Sequence, residues 1–363
     1  MKIIFAIKTL EHSVGGAERI TSCLANALHD KGHDITVLSF DNDNVPGFYP
    51  LNVGINRAYV PAADTSQKTS FKEIPKLLRG LRKTITDLKP DIVIAVMHSM
   101  FVPLQLALLG TGIKVIFSEH TVPKYYKNKR IEFAALVSVG LLAKRITIAS
   151  DSIKSLYPRI LQRAMTVIPN PVFSTSRRAD VVAASSRKTL LSVGRLDPLK
   201  DHNILIDAFA KIAATYPDWD LKIIGEGPER ANLERLIHLH NLQDRIFLPG
   251  TTKDIGSFYE KSQLFVMPSR YESFGLATAE AMTHALPIVG FADCSGTNDL
   301  ISHEHNGTLV TSRCADALSE ALSQLMKDPP MRQKYAECSL EIAQKFDSLQ
   351  IVNQWEELIE ISI

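Results

Sequence analysis

Short apolar runs alternate with helix-length stretches along this chain, and the alternation runs twice. Ile3–Ile7, Ile35–Leu38, Asp91–Val96, Val115–Ser118 and Ile146–Ala149 read as strands, with helices between them of which Ala17–Lys31 and Ile74–Lys89 are the clearest. Strands that are continuously apolar suit a sheet covered on both faces, so the pattern predicts a parallel sheet flanked by helices, an α/β domain. From Pro169 to Lys188 (PNPVFSTSRRADVVAASSRK) the sequence turns to Ser, Pro and charge and loses its period, as an interdomain linker does. The pattern then restarts with strands at Thr189–Val193, Leu221–Ile224, Ile246–Leu248, Leu264–Met267 and Pro287–Val289. Helices at His202–Thr215, Pro228–His240, Ile255–Lys261 and Leu276–Thr283 separate them. A chain of 363 residues exceeds the usual size of one core, so two doubly wound domains are expected, 1–170 and 171–346. No unit of 20 to 50 residues repeats, which argues against a solenoid. Ligands of open α/β sheets bind beyond the carboxyl ends of the strands, so the chemistry is expected there, in a cleft between the two domains.

The net charge of +2 hides a split. Residues 1–170 hold 22 Lys+Arg against 13 Asp+Glu, while the remainder hold 19 against 26. A basic first half is expected to meet something anionic: nucleic acid, an anionic membrane surface or a phosphate-bearing acceptor. Few aromatics are interleaved with the basic residues, which disfavours stacking on nucleic acid. Cys23, Cys294, Cys314 and Cys338 make no C-x-x-C pair and no zinc-like cluster, consistent with reduced thiols in the cytoplasm. The start, MKIIFAIKTL, is too short an apolar run for a signal peptide, and Met100–Phe117 is interrupted by Pro103, Gln105, Gly110, Gly112 and Lys114. It reads as a buried helix followed by a strand, not as a membrane span.

Several constellations sit at the ends of these strands. Leu264–Met267 runs through Pro268 and Ser269 into Arg270-Tyr271-Glu272-Ser273-Phe274-Gly275-Leu276, and a helix follows with Glu280 eight positions after Glu272. The amides of Phe274, Gly275 and Leu276 would lie at the helix start, where unpaired N–H groups suit a diphosphate or sugar oxygens. The two carboxylates suit diols. Two glutamates eight apart also occur in ordinary helices; the strand and glycine-containing turn are what single this pair out. In the first half, Ser13-Val14-Gly15-Gly16-Ala17-Glu18-Arg19 follows a strand, and its paired glycines permit close approach to a phosphate or simply make a turn. Arg195 and Lys200 share the loop Gly194–His202, placed to bracket a diphosphate or to form a solvated basic loop. His120, in Ser118-Glu119-His120, closes a strand and reads equally as catalytic or structural. Gly225-Glu226-Gly227-Pro228 is a tight turn into a helix.

Two basic, apolar elements lie in the first half. Ile74, Leu77, Leu78, Leu81, Ile85 and Leu88 recur at helical spacing, with Lys72, Lys76, Arg79 and Lys83 on a separate stripe and Arg82 beside it. Lys124, Lys127, Lys129 and Arg130 precede the apolar stretch Phe133–Ala143 and the pair Lys144-Arg145. Both are either solvated faces or the means of docking on an anionic bilayer or gripping an acceptor's diphosphate.

Taken together, these motifs resemble, over nearly the whole chain, the retaining glycosyltransferases of family four, of GT-B architecture. The similarity is greatest to bacterial enzymes that extend polyprenyl-diphosphate-linked oligosaccharides with N-acetylgalactosamine or a similar hexose. The resemblance implies two Rossmann-like domains facing a cleft, an acceptor-binding first and a donor-binding second. It also implies a terminal helix within 347–363, containing Trp355-Glu356-Glu357-Leu358-Ile359, that packs back on the first domain. It further implies that Arg195 and Lys200 hold the donor diphosphate, approached by Gly15 and Gly16. Glu280 would take the ribose hydroxyls, and Glu272 with the amides of Phe274, Gly275 and Leu276 the transferred sugar and phosphates. His120 would bond the sugar near its reacting face, and Thr252 would contact the base. Ser273-Phe274-Gly275 departs from the commoner pattern, in which Gly follows the first Glu.

No carboxylate nucleophile is implied, so front-face transfer is the expected scheme. With two cations on the diphosphate to neutralise its charge, neither a metal nor a cofactor is expected. The expected partners are a nucleotide sugar (a UDP-sugar), a polyprenyl-diphosphate-linked saccharide and an anionic membrane surface, with no nucleic acid. The expected location is the cytoplasm, on the inner face of the cell membrane. Three rival readings are a nicotinamide-dependent oxidoreductase, whose G-x-G-x-x-G is absent, an inactive GT-B scaffold, and a transferase with a soluble acceptor.

Overall fold

The computed structural model describes residues 1–10, 15–41, 47–60, 72–127, 129–183 and 186–363, and among these every paired strand is parallel. The strands form two sheets, one in each of two units: Met1–Pro171 with Leu349–Ile363, and Val172–Ser348.

In the first unit the strands are β1 (Lys2–Ala6), β2 (Asp34–Ser39), β3 (Asn56–Tyr59), β4 (Ile92–Val96), β5 (Lys114–Ser118), β6 (Arg145–Ile148) and β7 (Met165–Val167). Their order is β3-β2-β1-β4-β5-β6-β7. Ile3 on β1 pairs with Ile35 on one side and Ile92 on the other, and Ile3, Phe5 and Ala6 are wholly buried. Helices cover the sheet because their apolar residues recur every three or four positions. Gly16–Asp30 buries Ile20, Leu24, Ala25 and Leu28, and Ile74–Leu88 buries Leu77, Leu81 and Ile85. The terminal helix Ser348–Glu360 buries Ile351, Val352, Trp355, Leu358 and Ile359. It is pinned by Glu356, whose carboxylate takes Lys31 and lies 2.9 Å from His33 Nε2. These bonds hold the Glu356 carboxyl below its usual range.

The second unit contains β8 (Lys188–Val193), β9 (Trp219–Ile224), β10 (Ile246–Gly250), β11 (Leu264–Met267), β12 (Ile288–Phe291) and β13 (Gly307–Val310), in the order β10-β9-β8-β11-β12-β13. Leu190, Leu205, Phe209, Trp219, Leu233 and Leu322 belong to its core. The division between the two units falls at Pro171/Val172, inside the expected linker Pro169–Lys188, but the segment is not free along its length. From Val172 onward much of that segment is docked. Val172 N–H donates to Phe346 O (2.9 Å), Ala179 N–H to His284 O (2.8 Å), and Val181 is buried with its carbonyl accepting from Arg332 Nε (2.8 Å). Val172 and Val181 act as anchors among polar neighbours, and their long-range partners leave no trace in the local sequence.

Met100–Phe117 resolves into the helix His98–Ala107 and β5, and among the described residues no helix is long and apolar enough to cross a membrane. Three strands escape the sequence pattern: β3, β7 and β13. In each unit the strand order reverses at one place, between β1 and β4 in the first and between β8 and β11 in the second, and these switch points locate the ligand crevices of open α/β sheets.

Candidate active site

Because β8 and β11 are neighbours in the sheet, with Leu264 opposite Leu190, the loops that leave their carboxyl ends emerge together. The first carries Gly194–Asp201 and the second Pro268–Gly275. Lys200 Nζ lies 2.5 Å from Glu272 Oε1, and Ser269 Oγ donates to the same oxygen at 2.7 Å. Glu272 takes one of the three N–H donors of the Lys200 ammonium. Arg195 pairs with Asp197 at 2.7 Å while its side chain stays 65% exposed. The other Asp197 oxygen accepts from the amides of Leu199 (2.9 Å) and Lys200 (3.2 Å), which fixes the turn on which Lys200 stands. Arg270 N–H donates to Leu199 O at 2.8 Å and joins the two loops. Arg195, Lys200 and Glu272, chosen from the sequence, are therefore gathered at one switch point.

The neighbouring turn Gly225-Glu226-Gly227 packs against the first loop so closely that a Cβ at Gly225 would lie 2.0 Å from Gly194 O. Gly275 caps the helix Leu276–Thr283 with φ 86°, a left-handed conformation that glycine adopts without a Cβ penalty. Phe274 is buried, with its ring edge-on to Phe346 at 5.3 Å. Glu280 is buried on the same helix, with Tyr259 Oη 3.2 Å from its Oε2 and also 3.2 Å from Ala277 O. Thr252 follows β10, two strands from β8, and its hydroxyl accepts from Asp254 N–H at 3.1 Å. Topology does not bring it to the switch-point loops.

Two contributors have no local sequence signal. Arg313, after β13, donates to Pro268 O (2.8 Å) and Ser269 O (2.9 Å), pairs with Asp293 at 2.5 Å, and lies 3.4 Å from Asp201. It holds the exit of β11 and the end of the first loop in one place. Tyr259, from another helix, sets the Glu280 carboxylate. Cys294 is buried behind the loops, its thiol pushed up to about 11 by desolvation and then by the Glu272 charge.

In the first unit His120 follows β5. Its Nε2 lies 3.0 Å from Ser118 Oγ, which in turn accepts from Thr147 Oγ1 at 3.1 Å. Desolvation pushes the ring down to about 4, so it is neutral at pH 7. Glu119 is buried and bound by Thr121 N–H (2.9 Å), Thr121 Oγ1 (2.5 Å) and Tyr126 Oη (3.4 Å), a structural knot. Burial pushes its carboxyl up against the opposing pull of those bonds. Gly15 caps the helix that Gly16 begins, and a Cβ at Gly16 would meet nothing within 4 Å; Ser13 and Val14 lie outside the described residues.

Of the basic candidates, Lys72, Lys76, Arg79, Lys83, Lys127 and Arg130 are exposed. Arg82 is exposed as well, and its guanidinium also donates to Ala107 O and Leu109 O at 2.9 Å each, tying its helix to the end of His98–Ala107. Among the described residues one trio has metal-ligand proximity, His305, Cys338 and Glu341, with ligand atoms within 4.8 Å of one another. It lies on the turn before β13 and the helix Pro329–Ala343, away in sequence from the switch-point loops.

Two doubly wound units whose paired strands are all parallel, one with Lys200, Glu272 and Arg195 on the loops at its switch point, define the class as a two-unit α/β protein of Rossmann-like build. Residues 14–190 match the family model Glycosyltransferase Family 4, and residues 174–340 match the model Glycosyl transferases group 1. An uncharacterised glycosyltransferase of Haemophilus influenzae is 28% identical over 96% of this chain and 97% of its own. An α-1,4-N-acetyl-D-galactosaminyltransferase of Campylobacter jejuni, whose named substrate is a diNAcBac-PP-undecaprenol-linked saccharide, is 25% identical over 99% and 98%. The crystal structure of Anabaena HepE in complex with UDP and glucose superposes with a TM-score of 0.81 at 20% identity, covering 99% of each chain. The chain belongs to the family-four glycosyltransferases of GT-B fold, enzymes that build glycosidic bonds.

Proposed function

We propose that this enzyme moves a hexose or N-acetylhexosamine from a UDP-sugar to a lipid-linked saccharide, with retention of anomeric configuration, in the synthesis of a cell-surface glycan. The observation that carries the reading is the Lys200–Glu272 pair at the β8/β11 switch point, with Arg195 exposed on the same loop. A diphosphate set against this cluster takes the remaining donors of Lys200 and the planar fork of Arg195. Glu272 and the amides of Phe274, Gly275 and Leu276 take sugar hydroxyls and phosphate oxygens at the start of an eight-residue helix. Glu280, on that helix, takes the ribose hydroxyls. The UDP complex of Anabaena HepE supports the nucleotide, and the Campylobacter relative supports the lipid-linked acceptor.

Glu272 is not assigned as a nucleophile, because Lys200 and Ser269 both engage its Oε1. The chemistry proposed is a front-face transfer. The bond between the anomeric carbon and the diphosphate oxygen breaks, and its electron pair goes to that oxygen. The acceptor hydroxyl adds to the same face and passes its proton to the departing phosphate. Arg195 and Lys200 hold the growing negative charge, so preorganised electrostatics and positioning supply the rate without a metal. Neutral His120 bonds a sugar hydroxyl. Lys72, Lys76, Arg79, Lys83, Lys127 and Arg130, all exposed, serve the acceptor's diphosphate and an anionic inner membrane face.

The test is a panel of nucleotide sugars offered with a polyprenyl-diphosphate-linked saccharide, with the product's anomeric configuration read by NMR. Retained product from a UDP-sugar is expected; an inverted product overturns the mechanism, and transfer to free sugars alone overturns the acceptor.

A further inference from the structure

We infer that His305, Cys338 and Glu341 form a binding site for a divalent ion of the zinc class on the second unit, where the ion clips the turn before β13 to the helix Pro329–Ala343. The site does not rest on the glycosyl-transfer reading, because none of its residues belongs to the switch-point loops. An imidazole nitrogen, a thiol sulfur and a carboxylate oxygen, one from each side chain, all lie within 4.8 Å of one another. Cys338 is a free thiol, and no hydrogen bond or ion pair among the described residues engages any of the three side chains. Three donor groups thus face one another without joining.

The backbone that carries them is fixed on both sides. Cys338 and Glu341 stand three positions apart on the helix Pro329–Ala343, which puts them on one face. His305 comes from a tight turn held by His305 N–H donating to Ser302 O (3.0 Å) and Glu304 N–H to Gly307 O (2.9 Å), with Glu304 at φ 61°. Asn306 is wholly buried beneath it, its Oδ1 accepting from Ser302 N–H (2.7 Å) and its Nδ2 donating to Leu300 O (3.1 Å). Turn and helix are joined beside the trio, where the buried Ser339 Oγ donates to Asn306 O at 3.4 Å. Gly307 presses the turn against β12 so closely that a Cβ there would lie 2.2 Å from Ile288 O. A non-glycine residue in the left-handed region persists where the surroundings enforce it, so the turn holds His305 over the helix before any ion arrives. Folding alone brings the trio together, which is why no zinc-like spacing is legible in the sequence.

The donor set selects the ion. Magnesium and calcium take oxygen ligands, whereas a mixed nitrogen, sulfur and oxygen set is the repertoire of zinc and its neighbours in the first transition row. Cys338 binds as the thiolate and its proton passes to solvent, so thiolate and carboxylate together cancel the charge of a divalent ion. His305 and Glu341 are exposed and Cys338 is half-buried, which gives the ion a way in and leaves a water to complete four-coordination. The bound ion ties the turn that enters β13 to the helix, and β13 in turn leads to Arg313, which holds the donor loops.

The experiment titrates the full chain, reduced and stripped of metal, with Co²⁺ and then displaces it with Zn²⁺. A saturable sulfur-to-cobalt charge-transfer band in the near ultraviolet is expected, with visible bands of the intensity of a four-coordinate ion, at one ion per chain. Cys338→Ser should remove the charge-transfer band. His305→Ala and Glu341→Gln should each weaken Co²⁺ binding by about tenfold or more, while Cys314→Ser, which removes a thiol elsewhere on the unit, leaves it unchanged. Circular dichroism checks that each variant folds, and His305→Ala with Glu341→Gln carries the test should Cys338→Ser fail to. No band, or a band that survives Cys338→Ser, overturns the site. So does unchanged binding in both His305→Ala and Glu341→Gln, which is the behaviour of a lone thiol. Zn²⁺ should also slow amide exchange at 302–307 and around Cys338, and binding without that protection overturns the clip.

Discussion

Lys200 and Glu272 stand 72 positions apart in sequence, yet Lys200 Nζ and Glu272 Oε1 are 2.5 Å apart. Sheet topology makes the pair, because β8 and β11 are adjacent though two strands intervene in the chain. In the proposed reaction the same ammonium meets the donor diphosphate. Lys200→Ala and Arg195→Ala should each lower kcat by on the order of 100-fold or more, the scale of losing one preorganised donor. Steady-state rates with the preferred UDP-sugar check this, and near-normal turnover in both variants removes the diphosphate role. Because Lys200 and Glu272 touch, the double alanine variant should be non-additive, with a coupling of about 0.5–3 kcal/mol in a double-mutant cycle.

Arg332 makes a different prediction, about how the second unit holds its first residues. It is buried, donates through Nε to Val181 O (2.8 Å) and through Nη1 to Leu325 O (2.7 Å) and Met326 O (2.9 Å), and stacks 5.3 Å from the Trp219 ring. Arg332→Leu leaves those carbonyls unpaired and should destabilise the unit by about 3 kcal/mol or more. Urea unfolding measures the loss, and faster amide exchange confined to 172–183 would locate it.

Gly225 ties fold to site. Gly225→Ala puts a methyl group 2.0 Å from Gly194 O, so the loop carrying Arg195 must move. The expected result is a loss of about 1–3 kcal/mol together with a raised KM for the donor. A donor KM equal to that of the wild type would show that the loop does not position the diphosphate.

The legibility of this chain follows its burial. Strands β8 and β11 are apolar runs at the sheet centre, and the sequence pattern finds them within one residue. β3, Asn-Arg-Ala-Tyr, is an edge strand with no residue fully buried, and β7 has three residues, so neither carries an apolar run long enough to read. The motif residues Arg195, Lys200, Glu272 and Glu280 are legible because each sits just past a strand or within the helix that follows it. Arg313 and Tyr259 are not, because what marks them is a carbonyl or carboxylate brought close by topology. Arg82 lies beside the basic stripe in sequence; its two bonds to the neighbouring helix end are set by topology and are not legible there.

Acid should expose two histidines. Desolvation lowers His120 to about 4, and it lowers His202 to about 3, with the Lys200 charge adding to the shift and Asp197 opposing it. Unfolded histidine titrates near 6.5, so below about pH 6.5 the unfolded chain binds protons that the native rings refuse. Stability therefore holds above that pH and falls as pH drops toward about 4, by up to about 1.4 kcal/mol per pH unit for each ring. Unfolding midpoints across this window should slope less steeply in His202→Leu; an unchanged slope would mean that the ring is protonated in the native state.

The most direct test of the central claim is a crystal structure of the enzyme with UDP. The account predicts the β-phosphate within hydrogen-bonding distance of Lys200 Nζ and Arg195, the ribose hydroxyls at Glu280, and a phosphate oxygen at the amides of Phe274 to Leu276. UDP bound elsewhere, with the Lys200–Glu272 pair undisturbed and free of phosphate, would contradict it.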